Sequence, residues 1–299
     1  MRSETDGCLS AQSDADCHPE RSEGTEGGHG LLRFAQDDTR SSAIPASYYL
    51  CFDLAGRPGW QNMAIDQALL DRAGAGERWL RLYRWAPHCL SFGRHEPALR
   101  RYDRSKIGEL GLDVVRRPTG GRAVWHAEEL TYALAVPHAA LGGLRQAYEE
   151  VHRLLLAALR RLGAAAEMAP VRRTIGIDAG SCFASPAGGE ILIGGRKVVG
   201  SAQLREGAGL LQHGSILLSG LQTAVHDVTL GGGPPDLSAP LAEAIGRSPD
   251  IREVAEAVAG AAADRWGGTW ERTPVSAGLL AASARHEARF RSPEWTWKA

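Results

Sequence analysis

Apolar and polar positions alternate with the period of a β-strand in several places along this chain. Leu80-Arg81-Leu82-Tyr83-Arg84-Trp85 steps from face to face, and Cys89-Leu90-Ser91-Phe92-Gly93 follows beyond Pro87. Tyr48-Tyr49-Leu50-Cys51-Phe52 is an aromatic strand-like run followed by a Gly-Arg-Pro-Gly turn. Leu130 to Val136 reads as a further strand, while Val114-Val115 and Ala123 to Trp125 flank a Pro-Thr-Gly-Gly turn. Two β-rich stretches follow, Glu190 to Val199 and Leu210 to Leu218. In the first, Gly194-Gly195 joins Ile191-Leu192-Ile193 to Lys197-Val198-Val199 as a hairpin.

The period becomes helical over Gln61 to Ala73, where Met63, Ala64, Ile65, Ala68, Leu69 and Leu70 are apolar. It does so again from about Leu144 to Leu162, with Leu154, Leu155, Leu156, Ala158 and Leu159 for the buried face. Arg252 to Arg265 and Ser276 to Phe290 complete the helical stretches. Strands and helices interleave without a βαβ rhythm, and no internal repeat is evident. The pattern predicts an α+β domain whose mixed, largely antiparallel sheet is flanked by helices.

Residues 1–45 depart from this pattern. They are rich in Ser, Asp, Glu, Arg and Gly, too poor in large apolar side chains to offset the entropy of ordering, and are expected to form a disordered N-terminal extension. The folded domain is expected over residues 46–299, its C-terminal part helical.

Composition narrows the function only by exclusion. With 43% apolar and 23% charged residues the chain is ordinary for a globular protein. A net charge of −1 carries no basic footprint of a nucleic-acid or membrane-surface binder. There is no apolar run of membrane-spanning length and no secretory signal, so a cytoplasmic protein is expected. The 5 cysteines, at positions 8, 17, 51, 89 and 182, form no CxxC pair and no metal-ligand spacing. Cys51 and Cys89 fall in apolar strand patterns and are expected in the core.

Three segments can carry chemistry. Val115-Arg116-Arg117-Pro118-Thr119-Gly120-Gly121-Arg122-Ala123-Val124-Trp125-His126 sets paired glycines between strand-like runs, where a backbone can approach a ligand closely. Arg116 and Arg117 offer charge for a phosphate or carboxylate; the plainer reading is a hairpin turn with solvated arginines. It matches neither a GxxxxGK[ST] loop nor a GxGxxG fingerprint. In Gly194-Gly195-Arg196-Lys197-Val198-Val199-Gly200-Ser201-Ala202-Gln203, Lys197 can point into a dry cavity and polarise a carbonyl or stabilise a thiolate, or it can guard an edge strand. The small residues Gly200, Ser201 and Ala202 leave room for a chain-like ligand or mark tight packing. Cys182, in a loop of Gly and Ser, becomes a nucleophile only if a cation such as Lys197 lies close. His126 and His213 are candidates for a general base or a substrate hydrogen bond, or are structural. No Ser/His/Asp order or carboxylate pair stands out.

Taken together, Tyr48 to Leu218 resembles the superfamily of lipoate–protein ligases, octanoyltransferases and biotin–protein ligases. The resemblance rests on the Arg-Arg-Pro-Thr-Gly-Gly-Arg-Ala-Val-Trp-His block, the Gly-Arg-Lys-Val-Val-Gly-Ser-Ala-Gln block and Gln212-His213-Gly214-Ser215-Ile216, in that order, with a weaker echo at Ser292 to Trp297. Cys182-Phe183-Ala184-Ser185-Pro186, ahead of the lysine motif, is most like the LipM-type octanoyltransferases. ATP-dependent ligases usually carry a third glycine where this chain has Arg122. The chain departs from the family at Ala187-Gly188-Gly189, where a Ser and an aromatic residue are usual.

The resemblance implies a biotin/lipoate ligase-like catalytic domain with no cofactor or metal. It implies that Cys182 forms an acyl-thioester and that Lys197 lowers the thiol pKa and contacts the acyl carbonyl. Arg117, Thr119, Gly120, Gly121, His126, Gly200, Ser201 and Ala202 would line the acyl tunnel. The implied partners are octanoyl-acyl carrier protein and lipoyl-carrier proteins, either a glycine cleavage H-protein or the lipoyl domains of 2-oxoacid dehydrogenases. An ATP-dependent lipoate–protein ligase, an amidotransferase between lipoyl-carrier proteins and a non-catalytic acyl-binding module are the alternatives.

Overall fold

Alternation along Trp79–Trp85 and Glu129–Pro137 places large apolar residues on both faces of each strand, the pattern of strands covered on two sides. The computed structural model, which describes residues 46–169, 189–233, 236 and 238–299, bears this out. Six strands form a mixed sheet in the order Val199–Glu206, Gly209–Leu217, Glu129–Pro137, Trp79–Trp85, Ser47–Arg57 and Thr269–Arg272. The first four pair antiparallel; Ser47–Arg57 runs parallel to both its neighbours. A parallel neighbour requires a crossover, and the Gly59–Gly74 helix supplies the one between Ser47–Arg57 and Trp79–Trp85.

Leu80, Leu82, Leu130, Tyr132, Leu134 and Val136 face one way, onto the Leu144–Arg161 and Ile251–Trp266 helices. Trp79, Tyr83, Trp85, Ala133 and Ala135 face the other, onto the Gly59–Gly74 and Ala277–Arg291 helices. The expected α+β architecture is therefore present, with a helix pair on each side of the sheet. On Leu144–Arg161 the buried stripe is Ala147, Val151, Leu154, Leu155, Ala158 and Leu159, with Leu156 only half-buried at its margin. Caps start both long C-terminal helices: Asp250 accepts from the Arg252 and Glu253 amides, and Ser276 from the Leu279 amide. No helix among the described residues is long and apolar enough to cross a membrane.

Two features differ from the sequence expectations. Asp113–Arg116 and Val124–His126 do not pair as a hairpin: both pair with Cys89–Phe92, which lies between them. The Pro-Thr-Gly-Gly segment is therefore a crossover loop over a middle strand, because strand partners are set by distant contacts and not by the turn alone. The short Thr269–Arg272 strand, with polar residues at most positions, carries no period and is visible only through its pairing with Ser47–Leu50. The hairpin at Gly194-Gly195 is present, with both glycines at positive φ (55° and 74°). It pairs Ile191–Ile193 with Arg196–Lys197, and the chain then enters the main sheet at Val199. Lys197 thus stands at the corner between two sheets.

Candidate active site

The end of the main sheet and the small Cys89–Phe92 sheet meet around a small cavity. Gly200, Ser201 and Ala202 form one wall, opposite Ser215, Gly214 and His213 of the neighbouring strand. Ser91, Val124 and His126 of the small sheet close another side, with Arg117 beside them. Small residues are required where the strands meet: a Cβ on Gly214 would lie 2.2 Å from the Gly200 carbonyl oxygen. Of the residues expected to line the tunnel, Arg117, His126, Gly200, Ser201 and Ala202 do face this cavity.

The paired arginines are neither solvated nor offered to an anion. Arg116 is fully buried, and its guanidinium donates to the carbonyls of Gly93, Glu96, Trp295 and Thr296. Arg117 is 5% exposed and donates to the carbonyls of Ser91, Gly120 and Arg122 and to Ser91 Oγ. Its guanidinium shapes the Gly120-Gly121 loop from within, because a buried cation must satisfy its donors locally. Gly121 has φ of 91°, which favours glycine, and its carbonyl packs against Gly93, where a Cβ would meet that oxygen at 1.8 Å. A Cβ on Gly120 would have open space around it.

Two hydroxyl–imidazole–carboxylate chains converge on the cavity, an arrangement hidden in the sequence. In the first, His126 Nε2 lies 2.7 Å from Ser91 Oγ and Nδ1 lies 2.7 Å from Glu129 Oε1. Thr131 and Ser215 hydroxyls donate to the same carboxylate oxygen, and the imidazole stacks on Trp85 at 4.0 Å between centroids. In the second, Thr119 Oγ1 lies 2.6 Å from His213 Nε2, and His213 Nδ1 lies 3.0 Å from Asp66 Oδ2. Asp66 is itself held by Arg81 at 2.9 Å and Tyr83 at 2.8 Å. Burial holds the His213 pKa below the ordinary histidine value against the pull of Asp66. Thr119 is wholly buried, does not line the cavity, and meets it through its bond to His213.

Ser91, Glu129 and Asp66 belong to none of the three motif segments of the sequence. The available signal was an acidic residue on a face otherwise apolar, at Asp66 in the helix and at Glu129 where a buried strand begins.

Lys197 is 2% exposed, with Nζ 2.5 Å from Glu190 Oε1, so it is not an edge-strand guard. His152, fully buried on the Leu144–Arg161 helix, has its pKa pushed down to about 3, first by burial and then by the Lys197 charge. The His152 Nε2 meets Ser201 Oγ at 2.9 Å, and Tyr132 Oη meets the same hydroxyl at 2.7 Å. His152 is therefore within electrostatic reach of the corner lysine and bonded to Ser201 in the cavity wall. Cys182 lies outside the described residues. Cys51 and Cys89 are core thiols as expected; burial pushes Cys51 up to about 11 and Cys89 well above the usual thiol value.

The same arrangement of sheet and helices occurs in lipoate-protein ligases. A crystal structure of lipoate-protein ligase A bound with ATP superposes with a TM-score of 0.70 at 17% identity, covering 85% of this chain and 99% of that one. A bi-partite lipoate protein ligase from Thermoplasma acidophilum gives 0.66 at 17% identity, covering 85% and 97%. The fold is thus that of a lipoate ligase-like catalytic domain. Residues 58–263 match the model of the lipoyl protein ligase A/B catalytic domain, and the chain belongs to that family.

Among its relatives, the Octanoyltransferase LipM of Carboxydothermus hydrogenoformans is 44% identical over 165 residues, which is 54% of this chain. The match spans about three-fifths of that relative's length (61%). The protein of the same name from Exiguobacterium sibiricum is 34% identical over 259 residues, covering 79% of this chain and 94% of the relative.

Proposed function

We propose that this protein is an octanoyltransferase of protein lipoylation. It takes octanoyl from octanoyl-acyl carrier protein onto Cys182 and passes it to a lysine of a lipoyl-carrier protein, a glycine cleavage H-protein or a 2-oxoacid dehydrogenase lipoyl domain. The observation that carries this reading is Lys197, a lysine almost fully buried three residues ahead of Gly200 in the cavity wall and close enough to His152, the partner of Ser201, to lower its pKa, in a chain whose relatives bear that name. A buried cation has a use where a thiolate forms or an acyl carbonyl develops charge. The first transfer exchanges thioester for thioester; the second makes an amide and runs downhill without ATP. Arg117, Thr119, Gly120 and Gly121 shape the loop over the acyl chain, and His126, Gly200, Ser201 and Ala202 line its path. The reaction belongs in the cytoplasm, where thiols stay reduced.

The test is intact-mass analysis after incubation with octanoyl-acyl carrier protein in the absence of ATP. A gain of one octanoyl group, lost in Cys182→Ser, is expected; strict ATP dependence with Cys182→Ser fully active overturns the reading. Lys197→Met is expected to abolish loading and, by leaving Glu190 buried without its cation, to cost about 3–5 kcal/mol of stability. The double variant Lys197→Met/Glu190→Gln should recover most of that stability in a denaturant titration and none of the loading.

A further inference from the structure

Acyl transfer to a lysine has a proton problem. The acceptor amine, with an ordinary pKa of ~10.4, arrives as an ammonium at neutral pH and must lose a proton before its lone pair can attack. Among the described residues, few groups at the cavity can take that proton. Arg117 stays charged and is bound to carbonyls, and Lys197 is paired with Glu190. His213 has Nδ1 on Asp66 and Nε2 on Thr119, whose hydroxyl is not at the cavity surface. His126 is different: its Nε2 meets Ser91, and both Ser91 and His126 face the cavity.

Building on the octanoyltransfer reading, we propose that Ser91, His126 and Glu129 form the proton acceptor for the attacking amine, with His126 as the base. Ser91 Oγ–H passes its proton to His126 Nε2 while taking one from the ammonium. The freed nitrogen lone pair bonds to the thioester carbonyl carbon, the C–S bond breaks, and its electron pair leaves on sulfur. The second N–H proton departs as the amide forms, to the thiolate or to solvent.

Glu129 fits the part of the carboxylate that stabilises the resulting imidazolium. It is 2% exposed, with Oε1 accepting from His126, Thr131 and Ser215 and Oε2 without a hydrogen-bond partner among the described residues. A carboxylate with an orphan oxygen in the interior is costly in a purely structural role, and it is best balanced when the adjacent imidazole becomes a cation. Stacking on Trp85, with the rings 13° from parallel, restrains the tilt of the imidazole. The other titratable groups around His126 are Arg117, His213 with Asp66 behind it, and Tyr83 packed on Trp85. Of these, Arg117 and His213 are positive or become so on protonation, and among the described residues Glu129 is the carboxylate bonded to the imidazole.

The experiment compares two acceptors for the octanoylated full-length protein: a lipoyl domain, whose lysine must be deprotonated, and hydroxylamine, which is uncharged at neutral pH. In His126→Gln and Glu129→Gln the ratio of lysine to hydroxylamine rates should fall by about 10²–10⁴, the range of general-base contributions. In His126→Ala, added imidazole should restore lysine transfer in proportion to its free-base form. A fall of both acceptors in step, or an unchanged ratio with no imidazole rescue, overturns the relay. An unmutated protein that never loads octanoyl overturns the octanoyltransfer reading, and the relay with it. Thermal melts of each variant separate misfolding from lost proton transfer.

Discussion

His152 shows how much a single side chain owes to its surroundings. It is buried, bonds Ser201 and feels the Lys197 charge, and its pKa falls to about 3. In the unfolded chain a histidine titrates near 6.5. Between these values the unfolded state binds more protons, so the stability His152 contributes is complete above about pH 6.5 and is lost as pH falls toward 3, at up to about 1.4 kcal/mol per pH unit. His213 is shifted in the same direction. Denaturant titrations between pH 7 and pH 5 should show this acid sensitivity, and His152→Gln should flatten it. Neither role is legible from the residue itself, since a lone histidine on an amphipathic helix reads as a structural one.

At the scale of elements, the crossover loop from Arg117 to Arg122 depends on the middle strand beneath it. Gly93 ends that strand, and a side chain there would collide with the Gly121 carbonyl, a backbone atom that cannot swing away. Gly93→Ala is expected to cost about 1–3 kcal/mol, as overpacking does, and to displace the loop. Gly120→Ala meets nothing within 4 Å and should leave the melting curve within about 0.5 kcal/mol of the parent. Any loss of acyl loading in Gly120→Ala then reports on the site and not on folding. The glycine pair and the flanking strands were legible in the sequence, but the loop's true course was not. A Gly-Gly between two strand-like runs suggests a hairpin, and only the insertion of Cys89–Phe92 between those runs makes it a crossover.

Across the whole molecule, the C-terminal segment is tied back to the small sheet. Arg116 Nε donates to the Trp295 carbonyl at 2.8 Å, and Trp295 Nε1 donates to the Arg116 carbonyl at 2.9 Å. Trp297 packs on Phe92, with ring centroids 5.3 Å apart, and Arg289 stacks over Trp295 at 3.8 Å. Residues about 180 positions apart in sequence thus hold the strand that carries Arg117 into the site. Trp295→Ala should lower stability by less than the ~3–5 kcal/mol of a fully buried tryptophan, because part of the ring stays in water. Activity should fall with it as the Arg116 anchor loosens; parallel thermal melts and acyl-loading assays would show both.

The sequence by itself determined the fold class, the extent of the long helices and most strands, the core cysteines and several of the segments that line the cavity. Periodicity and turn chemistry are local, and three ordered motifs carry a family resemblance without coordinates. Only the tertiary structure decided that Arg116 and Arg117 serve the backbone, that Lys197 is buried against Glu190, and that Ser91, His126 and Glu129 form one chain. Those contacts join strands whose register is set by packing on both sheet faces. A sequence read in order cannot show which hydroxyl meets which imidazole until the strands between them are paired.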